Sequence, residues 1–193
     1  QKDTESHLHR GRLDIQQGRI ALEGAASVNG APSVNLGTNG TLSLGAGFIG
    51  RTAVIGSLGG AGRIDPAYSQ GTGLRMLQVN QNSNAVFSGS ILDATSGRVL
   101  GLTKAGGASL TLSGTNTYSG PTTLSNGTLI VNGAISNSAV VTKAGTTLAG
   151  RGFLGGPVTV EADGTLAPGP SPATLTIANR LALAPGSFTT LEI

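Results

Sequence analysis

Residues 102–133 read LTKAGGASLTLSGTNTYSGPTTLSNGTLIVNG, and the reading of this stretch decides the fold. Apolar and polar residues alternate in two short runs, Leu110 and Leu112, then Leu124, Leu129 and Val131. A period of two is the signal of a strand with one buried face and one wet face. Between the runs stand Gly114, Asn116, Ser119, Gly120 and Pro121, then Asn126-Gly127, all of them turn formers. No apolar stripe at helical spacing interrupts the pattern. The stretch predicts short β-strands joined by tight corners.

Downstream, the same texture recurs at a regular interval. Strand entries of Gly-Thr-Leu type begin at Gly127, Gly145, Gly164 and Gly186, so the successive spacings are 18, 19 and 22. The matching apolar residues are Leu129, Leu148, Leu166 and Phe188. Self-similarity near 20 residues predicts a solenoid, each coil holding about three short strands. Stacked coils lie about 4.8 Å apart, so Leu129, Leu148 and Leu166 are expected one above another in the core. The whole chain at about 20 residues per coil gives about nine or ten coils and a rod about 45 Å long. The leading fold is thus all-β, a single parallel β-helix. The alternative is an antiparallel β-sandwich, because Asn126-Gly127 also suits a tight hairpin.

Upstream, alternation runs through Leu13 and Ile15, Ile20 and Leu22, Val34 and Leu36, and Leu42 and Leu44. Turns are expected at Gly18, Asn29-Gly30 and Asn39-Gly40. Residues 48–64 carry strand-like pieces around five glycines, residues 65–71 form a loop, and strands follow over residues 74–79 and 85–91. Residues 1–10 are the most charged part and hold both histidines, so residues 1–12 are expected to be a polar end or cap.

Composition narrows the function classes. Only 11% of the 193 residues are charged and 3% are aromatic, so the interior must be built from Leu, Val, Ile and Ala. Thirty-two glycines without collagen periodicity imply many corners. The net charge of +3 is spread over single basic residues, with only Arg10 and Arg12 close together. A nucleic-acid binder calls for a basic patch, and a single-strand binder adds stacking aromatics; neither pattern is present, and no nucleic-acid partner is expected. There is no Cys, which removes disulfide and thiol chemistry and suits a chain that crosses a membrane unfolded. No run reaches the roughly 20 apolar residues of a membrane helix. The chain opens on Gln1 without a signal-peptide pattern and is expected to be a fragment of something longer.

Residues 102–133 resemble the passenger-associated transport repeat, or autotransporter-associated β-strand repeat, of autotransporter passenger domains. The likeness is carried by Leu102-Thr103-Lys104, Leu110-Thr111-Leu112-Ser113-Gly114-Thr115-Asn116-Thr117-Tyr118-Ser119-Gly120, Thr122-Thr123-Leu124 and Gly127-Thr128-Leu129. Ile55-Gly56-Ser57-Leu58-Gly59-Gly60-Ala61-Gly62 and Phe87-Ser88-Gly89-Ser90-Ile91 are similar to the earlier part of that unit. Residues 164–172, GTLAPGPSP, are similar to the segment that often precedes an autotransporter's membrane barrel. The resemblance covers roughly residues 39–193, with residues 1–38 matching only in texture, and implies a right-handed parallel β-helix; residues 1–193 are expected to form a single β-helix domain. Residues 39–133 would be the transport-repeat-like region. Residues 134–193 would be C-terminal coils preceding a barrel that lies outside this chain. It also implies a structural, secretion-assisting stalk in type V secretion, at the bacterial cell surface or secreted, with the precursor's own outer-membrane barrel as partner. The alternatives are a surface adhesin for a glycan or host protein, and a fragment of a polysaccharide-active enzyme.

Each candidate for chemistry meets a simpler structural reading. Gly45-Ala46-Gly47-Phe48-Ile49-Gly50 is a literal GxGxxG with Asp65 twenty residues past Gly45, but the glycines up to Gly62 oppose the helix that dinucleotide binding needs. Gly59-Gly60-Ala61-Gly62-Arg63-Ile64-Asp65 approaches a calcium nonapeptide with its Asp one place late. His7 and His9 offer two imidazoles where zinc takes four ligands. Glu161 and Asp163 are the one close acid pair of the second half and read as solvated turn acids rather than glycosidase carboxylates. Lys104 and Lys143, in TKAGG and TKAGT, read as outward-facing strand ends, and Tyr118 as an aromatic covering a turn. Accordingly the sequence is expected to hold no catalytic, cofactor-binding or metal-binding residues, and to be no enzyme.

Overall fold

The computed structural model describes residues 11–22, 33–66, 71–95, 97–169 and 172–191. Within them the chain coils into a parallel β-solenoid of about seven turns, with about 22 residues per turn. The single helical element among the described residues is one 3-10 turn, Ala46–Phe48. Three sheets of eleven, four and seven strands run along the column. Every ladder between strands is parallel. A lone antiparallel bridge, Ala94 to Arg98, closes a local loop. The antiparallel sandwich is therefore excluded for the described residues.

The repeat interval shows directly in the register. Leu110, Leu129, Leu148 and Leu166 are successive partners across the eleven-stranded sheet, at the near-constant spacing seen in the sequence. The first three are fully buried and Leu166 is 4% exposed. Their strands, Ser109–Leu112, Thr128–Val131 and Thr147–Gly150, alternate strictly between half-exposed and buried positions. This is what period-two alternation demands of a sheet with one apolar face.

Phe188 does not continue the column. It pairs with Thr165, Thr189 pairs with Leu166, and the phenyl ring is 58% exposed. The Phe188 N–H donates to Gly164 O at 2.8 Å, after a corner closed by Ser187 N–H to Ala184 O at 3.0 Å. That corner sets the strand one residue away from the simple count.

The expected interval holds in the second half and fails in the first. Val34 pairs with Leu58, and Leu77 with Leu102, so both steps are longer than the step from Leu129 to Leu148. The early turns are longer because some of their strands are long, as is Ser33–Leu44 with twelve residues in the eleven-stranded sheet. Gly73–Asn80 and Arg98–Ala105 have eight residues each, whereas Thr122–Leu124 and Val140–Thr142 have three. With longer turns there are fewer of them than nine or ten.

Gly18 and Asn39-Gly40 are not turns. They lie inside the paired strands Arg12–Leu22 and Ser33–Leu44, where Gln17 faces Asn39 and Gly18 faces Gly40. A register shift between Ile15 and Gln17 absorbs the irregularity as a bulge. Asp65, expected in a loop, ends the strand Arg63–Asp65. Asn29-Gly30, Tyr68 and residues 1–10 lie outside the described residues.

Close approach of the backbone explains much of the glycine content. A Cβ on Gly62 would stand 2.3 Å from Gly40 O, one on Gly89 1.9 Å from Gly62 O, and one on Gly114 2.0 Å from Gly89 O. The column continues upward in sequence: a Cβ on Gly133 would stand 2.1 Å from Gly114 O, and one on Gly152 2.1 Å from Gly133 O. At this corner, which from Gly114 onward is where the chain leaves the eleven-stranded sheet for the four-stranded one, successive turns touch backbone to backbone. No side chain fits between them.

Candidate functional site

Three of the inward-facing columns of side chains that pass through the repeat carry a polar residue among apolar ones. In the seven-stranded sheet one column runs Ile55, Val79, Lys104, Leu124, Thr142, Val160. Its neighbour runs Leu77, Leu102, Thr122, Val140, Val158. In the four-stranded sheet the column is Asn116, Ile135, Leu154, Ile177. Lys104, Asn116 and Thr122 are all fully buried.

Each is satisfied by bonds that cross between turns. Lys104 Nζ donates to Ala105 O at 3.1 Å and Gly106 O at 2.7 Å in its own turn, and to Asn126 O at 2.9 Å in the next. Burial lowers its pKa from 10.5 to about 8, because a low-dielectric setting disfavours the charged form. Asn116 Oδ1 accepts from the Ile91 N–H of the preceding turn at 3.0 Å. Its Nδ2 donates to Gly114 O and to Ala134 O of the following turn, both at 3.1 Å. Tyr118 Oη lies 2.7 Å from Thr122 Oγ1, which lies 2.7 Å from Ser138 Oγ, and Ser138 donates to Gly120 O at 2.6 Å. With Ser138 donating there, the chain of donors runs Tyr118, Thr122, Ser138, Gly120 O. Burial pushes the Tyr118 phenol well above its ordinary pKa.

Two expectations from the sequence are corrected here. Lys104 faces the core, and only Lys143 faces solvent, where it pairs with Glu161 at 2.5 Å. The TKAGG and TKAGT echo misleads, because register aligns Lys104 with Leu124 and Thr142 and not with Lys143. Parity holds the right answer: Leu100, Leu102 and Lys104 share one face of their strand. Tyr118 lies inside the column, fully buried, and does not cover a turn.

The other candidates fall apart geometrically. The GxGxxG stretch makes only the single 3-10 turn Ala46–Phe48, and Gly45 O accepts from the buried Arg75 Nε at 3.0 Å. Asp65 is buried and bound by Ser43 Oγ at 2.6 Å, Arg63 Nε at 2.6 Å and Arg19 Nη1 at 3.3 Å. It ties three successive turns together at their edge rather than facing a ligand. Asp93 Oδ1 accepts from the Leu100 N–H at 2.7 Å, and Oδ2 from the Ser119 N–H at 2.9 Å, which pins a loop onto the repeat. Asp163 sits at φ 61° in an exposed turn. Among the described residues no group of three or more His, Cys, Asp or Glu could hold a metal ion, and none of their helices is long and apolar enough to cross a membrane. His7 and His9 lie outside the described residues.

Residues 102–131 match the family model of the passenger-associated-transport-repeat, the repeat of autotransporter passengers. The match falls on the part of the column that carries Lys104, Asn116, Tyr118 and Thr122. Comparison with curated proteins and with solved structures returned no match. A passenger repeat seated within a parallel β-solenoid fits a passenger stalk.

Proposed function

We propose that this chain is the structural stalk of an autotransporter passenger, a rod whose folding outside the cell assists its own translocation and which displays the passenger regions preceding it. The observation that carries the reading is the transport repeat at residues 102–131, continuous in register with turns on both sides. Residues 39–133 form the repeat-bearing region and residues 134–193 the coils on the barrel side. The partner is the precursor's own outer-membrane barrel, and the site of action is the cell surface or the medium. The fold supports a mechanical role: the buried polar side chains of the repeat, Lys104, Asn116 and Thr122, bond to the chain itself. An adhesin would call for an exposed aromatic on its polar face, and the ring of Tyr118 is fully buried.

The resemblance implies exit with the C-terminal end first. The turns from Leu129 to Leu166 are short and regular, and in a solenoid each turn contacts only its neighbours, so folding spreads from wherever it starts. These turns are placed to nucleate the rod. The core columns reach Leu181 and Leu183, 40% and 48% exposed in the last described turn, and a further turn laid there would bury both. In the full precursor, Leu166→Asp should impair surface display more than Leu22→Asp, read by protease accessibility on intact cells at matched expression. Equal effects, or an untouched Leu166→Asp, would reduce the segment to a passive spacer.

A further inference from the structure

We propose that the buried polar residues of the repeat, Lys104 foremost with Thr122 and Asn116, form a register key. They fix which residues of adjacent turns face one another, a task the apolar ladders cannot perform. The inference is independent of secretion and concerns how a repetitive chain finds one alignment.

Slipping a strand by two residues keeps every side chain on its own face, so alternation alone does not forbid it. In the seven-stranded sheet the neighbours differ little: Val140–Thr142 stacks on Val158–Val160, and a slip exchanges one β-branched residue for another. The strands Thr122–Leu124, Val140–Thr142 and Val158–Val160 contain no glycine, and the close approaches of Gly120 to Leu100 O and Gly156 to Ser138 O lie at the corners ahead of them. Lys104 breaks this degeneracy. Its ammonium reaches Asn126 O in the next turn, and a two-residue slip moves that carbonyl by about 6.6 Å. The buried charge would then lose its acceptor across the turn. Thr122 bonds to Ser138 in the turn that follows, and Asn116 binds the turn before and the turn after, so both lose partners in any slipped alignment. A polar group at one position of a buried seam selects register in the same way in paired helices. Alignment fixed in one turn passes to its neighbours in both directions.

The test exploits a chain without cysteine. Thr103 and Thr123 are outward register partners, so Thr103→Cys with Thr123→Cys places Cα atoms about 4.8 Å apart, within disulfide reach. Ala105→Cys with Thr123→Cys is offset by two residues and about 8 Å, beyond reach unless the strand slips. With Lys104 present, the aligned pair should close in preference to the offset pair by roughly tenfold or more, the preference that one charge-assisted hydrogen bond imposes. Lys104→Met keeps the stem's volume and removes the ammonium. In that background the ratio should fall severalfold toward one while the urea melt stays cooperative. Lys104→Gln, which retains a donor, should recover part of the ratio. An unchanged ratio in Lys104→Met overturns the proposal. So does loss of the cooperative melt, which would make the ammonium a general stability element, and so does Lys104→Gln behaving as Lys104→Met.

Discussion

Lys104 is a base whose folded-state pKa, about 8, lies below the 10.5 of the unfolded chain. Between these values the unfolded chain holds the extra proton, so this residue's contribution to stability rises with pH across that window. Urea midpoints of the native chain should rise relative to Lys104→Met between pH 7.5 and 9.5. Tyr118 works the other way, since its raised pKa makes stability fall above pH 10, outside that interval. Thr142 gives a second test in the same column. Its buried Oγ1 has no hydrogen-bond partner among the described residues. Thr142→Val keeps the shape and removes the orphaned hydroxyl, and should raise stability by about 1 kcal/mol in urea melts. The parity of Leu102 and Lys104 holds the inward orientation in plain view, but the usual exclusion of Lys from interiors argues against it. What alternation does not contain is the reason burial is tolerable: the acceptor from Asn126 exists only once the next turn is in place.

At the scale of the strand and its corner, the glycine column separates two kinds of glycine. A Cβ on Gly133 meets Gly114 O at 2.1 Å, while one on Gly107 meets nothing within 4 Å. Gly133→Ala should therefore cost about 2 kcal/mol or more, as forced backbone shifts do, whereas Gly107→Ala should change stability by about 0.5 kcal/mol or less. Thermal melts of the two variants side by side decide the point, and equal losses would mean the corner relaxes freely. The strands are legible where the alternation is clean: the spacing from Leu129 to Leu148 to Leu166 is the register itself. Legibility fails where glycine is read as punctuation. Gly18 and Asn39-Gly40 resemble turns, yet each strand continues through because a parallel partner supplies the ladder. The count misplaces Phe188 because counting from a glycine cannot see a corner longer by one residue.

For the whole molecule, the sequence predicts one column of parallel coils, and the early turns and the last described turn depart in length from the count. The early lengths depend on how far individual strands extend, as in Ser33–Leu44 and Gly73–Asn80, which short-range alternation does not limit. Asp65, joined to Ser43, Arg63 and Arg19, braces the first turns at one edge.

The glycine column has a consequence for length. Gly114, Gly133 and Gly152 occupy one corner of successive turns, evenly spaced along the chain, with the same backbone approach at each. The chain between two of them is thus a cassette whose two ends arrive at equivalent places. Excising residues 133–151 would join Asn132 to Gly152 and lay Gly152 on Gly114. Leu166 would then rest on Leu129 and Val158 on Thr122. The shortened chain should fold cooperatively into a rod about 4.8 Å shorter, visible in small-angle scattering. Removing half that number of residues should abolish the cooperative melt. Such a rod can lengthen or contract by whole units, so its reach is a quantity that recombination can set at the expense of few contacts, the bond from Thr122 to Ser138 among them.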